Sequence, residues 1–77
     1  MIRVCALYRF ATFPDPAALR EPLLAVAEAH GIRGTLLLAN EGINGTSAGT
    51  QDGIEAVLDH IRTLPGCAEL DYKDSTA

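Results

Sequence analysis

The order in which two hydrophobic periods alternate along the chain constrains its fold more than any other feature of these 77 residues. Ile2 to Phe10 alternates between two faces, which is the period of a β-strand. A later segment repeats its apolar residues every three to four positions, which is the period of an amphipathic helix. These residues are Ile54, Val57, Leu58, Ile61 and Leu64. The chain therefore combines strands and helices in one small unit.

A further helix is predicted from Pro16 to His30, where leucine and valine recur at helical spacing. Asp15 followed by Pro16 is typical of an N-cap with proline at the first helical position. Pro22 lies past the first turn, so we expect it to kink the helix or delay its regular part. Thr50 is the predicted cap of the second helix.

Three more strands complete the pattern: Ile32 to Ala39, Ile43 to Ala48, and Ala68 to Lys73. The order strand, helix, strand, strand, helix, strand predicts an α+β domain of ferredoxin-like (acylphosphatase-like) β-α-β-β-α-β topology. We expect a single domain over residues 1–77. Its four-stranded antiparallel sheet should carry two helices on one face, with the first and third strands at the centre.

Alternation in the first strand places Arg3, Cys5, Leu7 and Arg9 on one face, and we expect this face to lie away from the helices. An uncovered sheet face with apolar residues is typical of a partner surface. A ligand-free dimerisation or regulatory module, with a homodimer through the open sheet face, is therefore one alternative.

The charge balance limits the partners of this domain. Six basic and ten acidic residues give a net charge of −4. This argues against the domain alone gripping a phosphate backbone, which needs clustered cations. Arg3 and Arg9 lie on one side of a strand and form the one candidate basic patch. The chain shows no signal peptide and no run near the ~20 apolar residues of a membrane span, so we expect a cytoplasmic protein with no membrane partner.

Few residues have the setting that catalysis or metal binding needs. Cys5 lies within a strand and Cys67 precedes an acidic one, and neither stands in a loop of backbone donors ending in arginine. His30 and His60 have no second ligand at metal-binding spacing. The sequence therefore predicts no catalytic residue, no cofactor and no metal site in this chain.

The stretch NEGINGT, Asn40 to Thr46, follows the most hydrophobic run of the chain. Asn-Gly is a strong hairpin signal, because both residues tolerate positive φ. Glu41-Gly42 offers a second turn where one would do, and a glycine within a strand often marks close approach of another chain. The loop is thus a hairpin connection and a candidate recognition corner, formed by Asn40, Glu41, Asn44 and Thr46.

The segments ALYRF, LREPLLAVAEAHGIRG and GTLLLANEGINGTSAG together resemble the N-terminal domain of the rhodanese-related tRNA uridine hydroxylases, a bacterial family. The closing YKDSTA is similar to the segment that leads towards the family's rhodanese domain. The resemblance covers essentially all of this chain but only a minority of a family member. The EGINGT core is its most specific part.

The resemblance implies tRNA processing by an oxidoreductase: oxygen-dependent hydroxylation of the wobble uridine to 5-hydroxyuridine. The family's reactive cysteine belongs to the rhodanese domain, so this chain would be a non-catalytic N-terminal module. Its implied partners are the rhodanese domain of the same chain and tRNA. The candidate tRNA or interdomain contacts are Arg3, Arg9, Asn40, Glu41, Asn44 and Thr46.

A stand-alone acylphosphatase-like hydrolase is the second alternative, because acylphosphatases share this order of elements. The chain resembles them at Asn40, at the following Gly-Thr, and at a glycine that opens a helix. Their phosphate cradle follows the first strand and is a glycine-rich loop ending in arginine. Here that position reads ATFPDP, which supplies neither the glycines nor the cation that an acyl phosphate needs.

Overall fold

A computed structural model describes residues 2–76 and has the predicted order of elements. The elements are β1 (Arg3–Phe10), α1 (Pro16–Ala29), β2 (Arg33–Ala39), β3 (Gly42–Gly49), α2 (Gln51–Arg62) and β4 (Asp71–Thr76). The strands form one sheet in the order β2-β3-β1-β4, and every neighbouring pair is antiparallel. The ferredoxin-like α+β prediction is therefore confirmed, with β1 and β3 at the centre.

Both helices begin at the predicted caps. The Asp15 side chain accepts a hydrogen bond from the Ala18 amide, and the Thr50 hydroxyl oxygen accepts one from the Gly53 amide at 3.1 Å. Each bond satisfies an amide that has no partner inside its helix. Helix α1 runs through Pro22 from its start at Pro16, so its regular part is not delayed.

The core lies between the helices and one sheet face. The apolar stripe of α2 is wholly buried, as its helical spacing predicted. Leu23 is the buried residue of α1. Phe13 lies in the loop between β1 and α1, is 0% exposed, and is the largest fully buried side chain. Periodicity gave no indication of Phe13, because a loop residue belongs to neither repeat.

The fourth strand begins later than the sequence indicated. The predicted strand started at Ala68, whereas β4 starts at Asp71. The segment between α2 and β4 buries Leu64, Cys67 and Leu70, which are spaced by three residues rather than two. These side chains reach the core from successive turns, and the strand starts only after Leu70 is buried.

The prediction of which sheet face the helices cover was wrong. Cys5 is 0% exposed and Leu7 is 3% exposed, so the helices cover their side of β1. The arginines on this face lie at the two ends of the strand, and their guanidinium groups reach its margins. Only Cys5 and Leu7 therefore occupy the middle, where the helices pack.

The opposite side of the sheet is solvent-exposed and is called here the open face. From β1 it carries Val4, Ala6, Tyr8 and Phe10. By register, its other members are Ala48, Thr46, Asn44 and Gly42 of β3, Arg33, Thr35, Leu37 and Ala39 of β2, and Ser75, Lys73 and Asp71 of β4. Of these, Tyr8, Phe10 and Leu37 are large apolar side chains exposed to solvent.

Candidate functional site

The two glycines of the Asn40–Thr46 stretch are required by the sheet itself. Gly42 has φ +147° and Gly45 has φ +148°, values that residues with a side chain rarely adopt. A Cβ at Gly42 would meet the carbonyl oxygen of Arg9, and a Cβ at Gly45 would meet that of Thr35. The close approach inferred from Gly45 is therefore an approach of the neighbouring strand, and the second turn signal has a structural cause.

The turn between β2 and β3 is tied to the loop that follows β1. The Asn40 side-chain amide donates to the Phe13 carbonyl at 2.9 Å, and the Phe13 amide donates to the Asn40 carbonyl at 2.9 Å. The Ala11 amide donates to the Glu41 carbonyl at 3.0 Å. These three bonds tie the loop to the turn.

This arrangement does not suit an acyl phosphate. Two amides of the loop after β1 already donate to the turn, so they are not available to an anion. The nearby Arg9 guanidinium donates to the Gly66 carbonyl at 2.9 Å and to the Glu69 carbonyl at 3.4 Å. The geometry therefore gives no support to the acylphosphatase-like alternative.

Arg3 joins three elements on the helix-covered side. Its guanidinium donates two hydrogen bonds of 2.8 Å to the Asp74 carboxylate and one of 2.6 Å to Glu55. The bidentate bond from Arg3 holds the pKa of Asp74 below its usual value. The Arg3 side chain is only 11% exposed, so its charge is already matched inside the domain.

Both thiols are buried. Burial raises the pKa of Cys5 to about 11, with the neighbouring Asp74 carboxylate adding to the effect. Burial also raises the pKa of Cys67. A thiol held neutral at pH 7 and hidden from solvent is a poor nucleophile. The two cysteines are free in the structure.

The predicted contact residues do not form one patch. Arg3 and Arg9 lie at the margins of the helix-covered side, whereas Asn44 and Thr46 project from the open face. Asn40 is used inside the domain, and the Glu41 side chain is exposed at the turn. A groove of about 110 Å³ at this end of the sheet brings Glu41 and Asn44 together with two aromatic residues, Tyr8 and Phe10.

Tyr8 and Phe10 are the exposed residues that the sequence analysis placed incorrectly. Tyr8 is 53% exposed and Phe10 is 81% exposed, on the face that was expected to be buried. Their rings meet edge to face, with centroids 6.2 Å apart. The sequence offered one signal, the arginines at the two ends of the strand. They mark where the helix layer stops, and they do not identify the open face.

Two further observations concern residues 2–76 alone. Their acidic, cysteine and histidine side chains form no group of three or more that could hold a metal ion. None of the helices formed by these residues has both the length and the apolar character that crossing a membrane demands.

The element order and the strand order define a class of protein: a ferredoxin-like α+β domain built on the acylphosphatase plan. Within residues 2–76 it lacks a phosphate cradle after β1. The chain belongs to the family described as the UPF0176 acylphosphatase-like domain, which matches residues 2–77. This finding confirms the fold class.

Relatives called tRNA uridine(34) hydroxylase are similar to nearly the whole chain. The protein of Gluconobacter oxydans is 64% identical over 76 residues, covering 99% of this chain and 24% of that protein. The protein of Jannaschia sp. is 62% identical over 77 residues, covering 100% and 26%. The protein of Caulobacter vibrioides is 61% identical over 75 residues, covering 97% and 24%. These matches confirm the resemblance, and the chain spans about a quarter of each relative's length.

Proposed function

We propose that this chain is the non-catalytic N-terminal module of a cytoplasmic tRNA uridine hydroxylase. In this proposal it packs on the rhodanese domain of the same protein and helps to position tRNA. The observation that carries the proposal is the match of almost the whole chain, at 61% to 64% identity, to relatives named for uridine 34 of tRNA.

The state of the thiols supports a non-catalytic role. Cys5 and Cys67 are both 0% exposed. Their raised pKa values keep them protonated at neutral pH. A reactive cysteine needs an accessible, electropositive setting, so we assign the chemistry to another part of the longer protein.

The turn between β2 and β3 supports a contact role. The side chains of Glu41, Asn44 and Thr46 are exposed and make no hydrogen bond with any other residue between positions 2 and 76. Because the backbone of this turn is held by the loop after β1, these polar groups are presented on a fixed support. We propose that they contact the rhodanese domain or the tRNA.

A deletion tests the proposed function. Cells would carry either the longest natural protein that contains this chain or the same protein without residues 1–77, and wobble uridine in their tRNA would be analysed by mass spectrometry. We expect the truncated protein to stay folded and the hydroxylated nucleoside to disappear. Unchanged modification in cells with the truncated protein would contradict the proposal.

Paired substitutions test the contact residues. In the longest protein, Glu41→Ala and Asn44→Ala should lower tRNA modification, while the free energy of unfolding changes by less than about 0.5 kcal/mol, as for most surface sites. Glu28→Ala removes an exposed carboxylate from α1 and is the matched control. Modification that stays at the control level in both variants argues against a contact at this turn.

A further inference from the structure

The open face displays two aromatic rings on its central strand. Tyr8 and Phe10 are neighbours on β1, and the residue opposite Phe10 on β3 is Gly42, which has no side chain to cover the ring. In an edge-to-face pair at most one ring face is occupied, so the remaining ring faces are available to a ligand. Exposed aromatic rings on the central strands of a four-stranded sheet can stack unpaired bases.

Tyr8 stands between two grooves of mixed character. On one side the groove of about 110 Å³ is lined by Asn44 and Glu41, among others. On the other side a groove of about 450 Å³ is lined by Lys73 and Asp71, among others. A planar ligand on the Tyr8 ring would therefore have polar groups within reach at both edges.

The Asn44 side chain is directly opposite Tyr8 and is exposed. Its amide offers one donor and one acceptor side by side. The pairing edges of uracil, cytosine and adenine each present a donor next to an acceptor, so Asn44 can pair with any of them once the base is unpaired. Recognition at this position is therefore tolerant of sequence.

The charges of the domain are unequally divided between its two sides. The open face carries two cations, Arg33 and Lys73, and one carboxylate, Asp71. The other nine carboxylates of residues 2–76 lie on the helices, in loops or on the helix-covered side of β4: Asp15, Glu21, Glu28, Glu41, Asp52, Glu55, Asp59, Glu69 and Asp74. Glu41 lines the groove beside Tyr8, so the open face with this groove carries two cations and two carboxylates and is neutral. The net charge of −4 therefore lies on the rest of the domain. Of the two sides, the open face is the less negative one, so it repels a polyanion less than the helical side does.

The open face also differs from the centre of a domain interface. Such centres are mainly apolar and poor in charge. Here Leu37 is the one large aliphatic residue that is strongly exposed among residues 2–76 of this face, at 59%. The row next to it places Thr35 and Thr46 beside Ala6 and Lys73. Polar side chains interleaved with aromatic rings suit a nucleic-acid ligand better than a packed domain.

We propose that the open face binds an unpaired segment of RNA, with bases stacked on Tyr8 and Phe10 and Asn44 pairing with a base edge. This inference rests on the proposed function and names the surface through which the module touches RNA. Arg3 and Arg9, which the sequence analysis considered for this task, lie elsewhere. Because only two cations face the ligand, stacking supplies most of the affinity.

Binding assays on the longest protein test this proposal, with a fluorescein-labelled ten-nucleotide oligouridine as probe and an RNA duplex as comparison. Tyr8→Leu and Phe10→Leu keep an apolar side chain but remove the ring. Each should raise the Kd for oligouridine at least about fivefold, the low end of one base–aromatic stack. Tyr8→Phe keeps the ring and should stay within about twofold, the scatter expected when the stack is retained.

Leu37→Ala is the matched control, because it removes exposed apolar surface from the same row of the sheet without removing a ring. It should leave the Kd unchanged. The salt dependence is a second readout: two cations contribute at most about −1.4 to the slope of log affinity against log salt for a single strand. Substituting both with alanine should flatten the slope by that amount or less.

Several results would overturn the proposal. These are no binding of oligouridine by the longest protein at millimolar concentration, equal Kd values for the wild type and the leucine variants, or a loss with Leu37→Ala as large as with Tyr8→Leu. Faster proteolysis of the Tyr8→Leu protein with unchanged RNA binding would indicate that the open face is a domain interface. Loss of a dimer in this variant would indicate that a second copy of the chain binds the open face. The deletion experiment reads tRNA modification instead, so the proposed function can hold while this surface fails.

Discussion

At the scale of single residues, Gly45 is one of the positions where the backbone leaves no room for a side chain. Gly45→Ala would force φ +148° on a residue with a side chain and push its Cβ against the Thr35 carbonyl. We expect a loss of about 2–4 kcal/mol in the free energy of unfolding, from strain and displacement of a central strand.

The control for Gly45 is Gly31, which also has positive φ, +64°, but has open space around its missing Cβ. Gly31→Ala should cost only about 1–2 kcal/mol, the strain of the left-handed conformation. Urea denaturation of both variants compares the two costs. Equal losses would show that the approach of Thr35 is unimportant.

The Arg3–Asp74 pair makes stability depend on pH. Because Arg3 lowers the pKa of Asp74 in the folded state, the pair stabilises the fold above pH 3.8, the ordinary value for Asp, and this contribution is lost as pH falls further. Asp74→Asn should therefore destabilise the protein by up to about 1 kcal/mol at pH 7 and by less at pH 3, since the pair is partly solvent-exposed.

A mutant cycle isolates this pair. In an Arg3→Gln background, Asp74→Asn should no longer change the pH dependence of the urea midpoint, because its partner is gone. A pH-dependent effect of Asp74→Asn that persists without Arg3 would assign the shift to another group. Glu55 keeps one bond to Arg3 in the single variant, which limits the loss at pH 7.

At the scale of elements, α1 contains the same residue in two opposite roles. Pro16 is at the first helical position, where its missing amide costs nothing, whereas Pro22 is inside the helix and removes a bond of the helical ladder. Pro22→Ala should stabilise the protein by about 1–2 kcal/mol, the gain in helix bonding less the entropy of the unfolded chain.

Pro16→Ala should instead be neutral or destabilising by less than about 1 kcal/mol, since proline there is already suited to the helix. Thermal denaturation followed by circular dichroism measures both variants. A destabilised Pro22→Ala protein would indicate that this proline packs or bends the helix for a structural purpose.

Elements with one strong period were predictable from sequence, and elements fixed by long-range packing were not. The apolar stripe of α2 identified a buried helix because a single repeat determines both its structure and its buried face. In β1 both faces contain apolar residues, so alternation fixed the strand but not its orientation. The start of β4 was missed because Leu70 has the sequence context of a strand but is buried from a loop.

The candidate site was predictable only in part. The glycines and asparagines of the Asn40–Thr46 turn were visible in the sequence. The exposure of polar side chains at a turn held by the loop after β1 was not. The Asn40 side chain donates a hydrogen bond to Phe13, which lies in a loop 27 residues away. Local sequence cannot show such a contact. The same holds for Arg3, which forms ion pairs with two carboxylates on other elements.

At the scale of the whole molecule, the same substitution has different consequences in the core and on the open face. Phe13 is fully buried, so Phe13→Ala should cost about 3–5 kcal/mol. A domain of this size has a total stability of only about 4–12 kcal/mol, so the variant should lose a quarter or more of its free energy of unfolding.

Phe10→Ala removes the same ring from the open face and should change the free energy of unfolding by less than about 0.5 kcal/mol. Two-dimensional NMR spectra and urea titration of the two variants separate these outcomes. A large loss from Phe10→Ala would mean that the open face contributes to folding and is not reserved for a ligand.

The register of β1 with β4 has a consequence for the history of this fold. Arg3 pairs with Thr76 across neighbouring strands, so the start of β1 and the end of β4 lie about 5 Å apart. A unit whose ends meet can be spliced into a surface loop of another protein, or reconnected in a new order, without distorting its sheet. This geometry allows the domain to be inserted into other proteins during evolution, where its open face can serve as a binding surface.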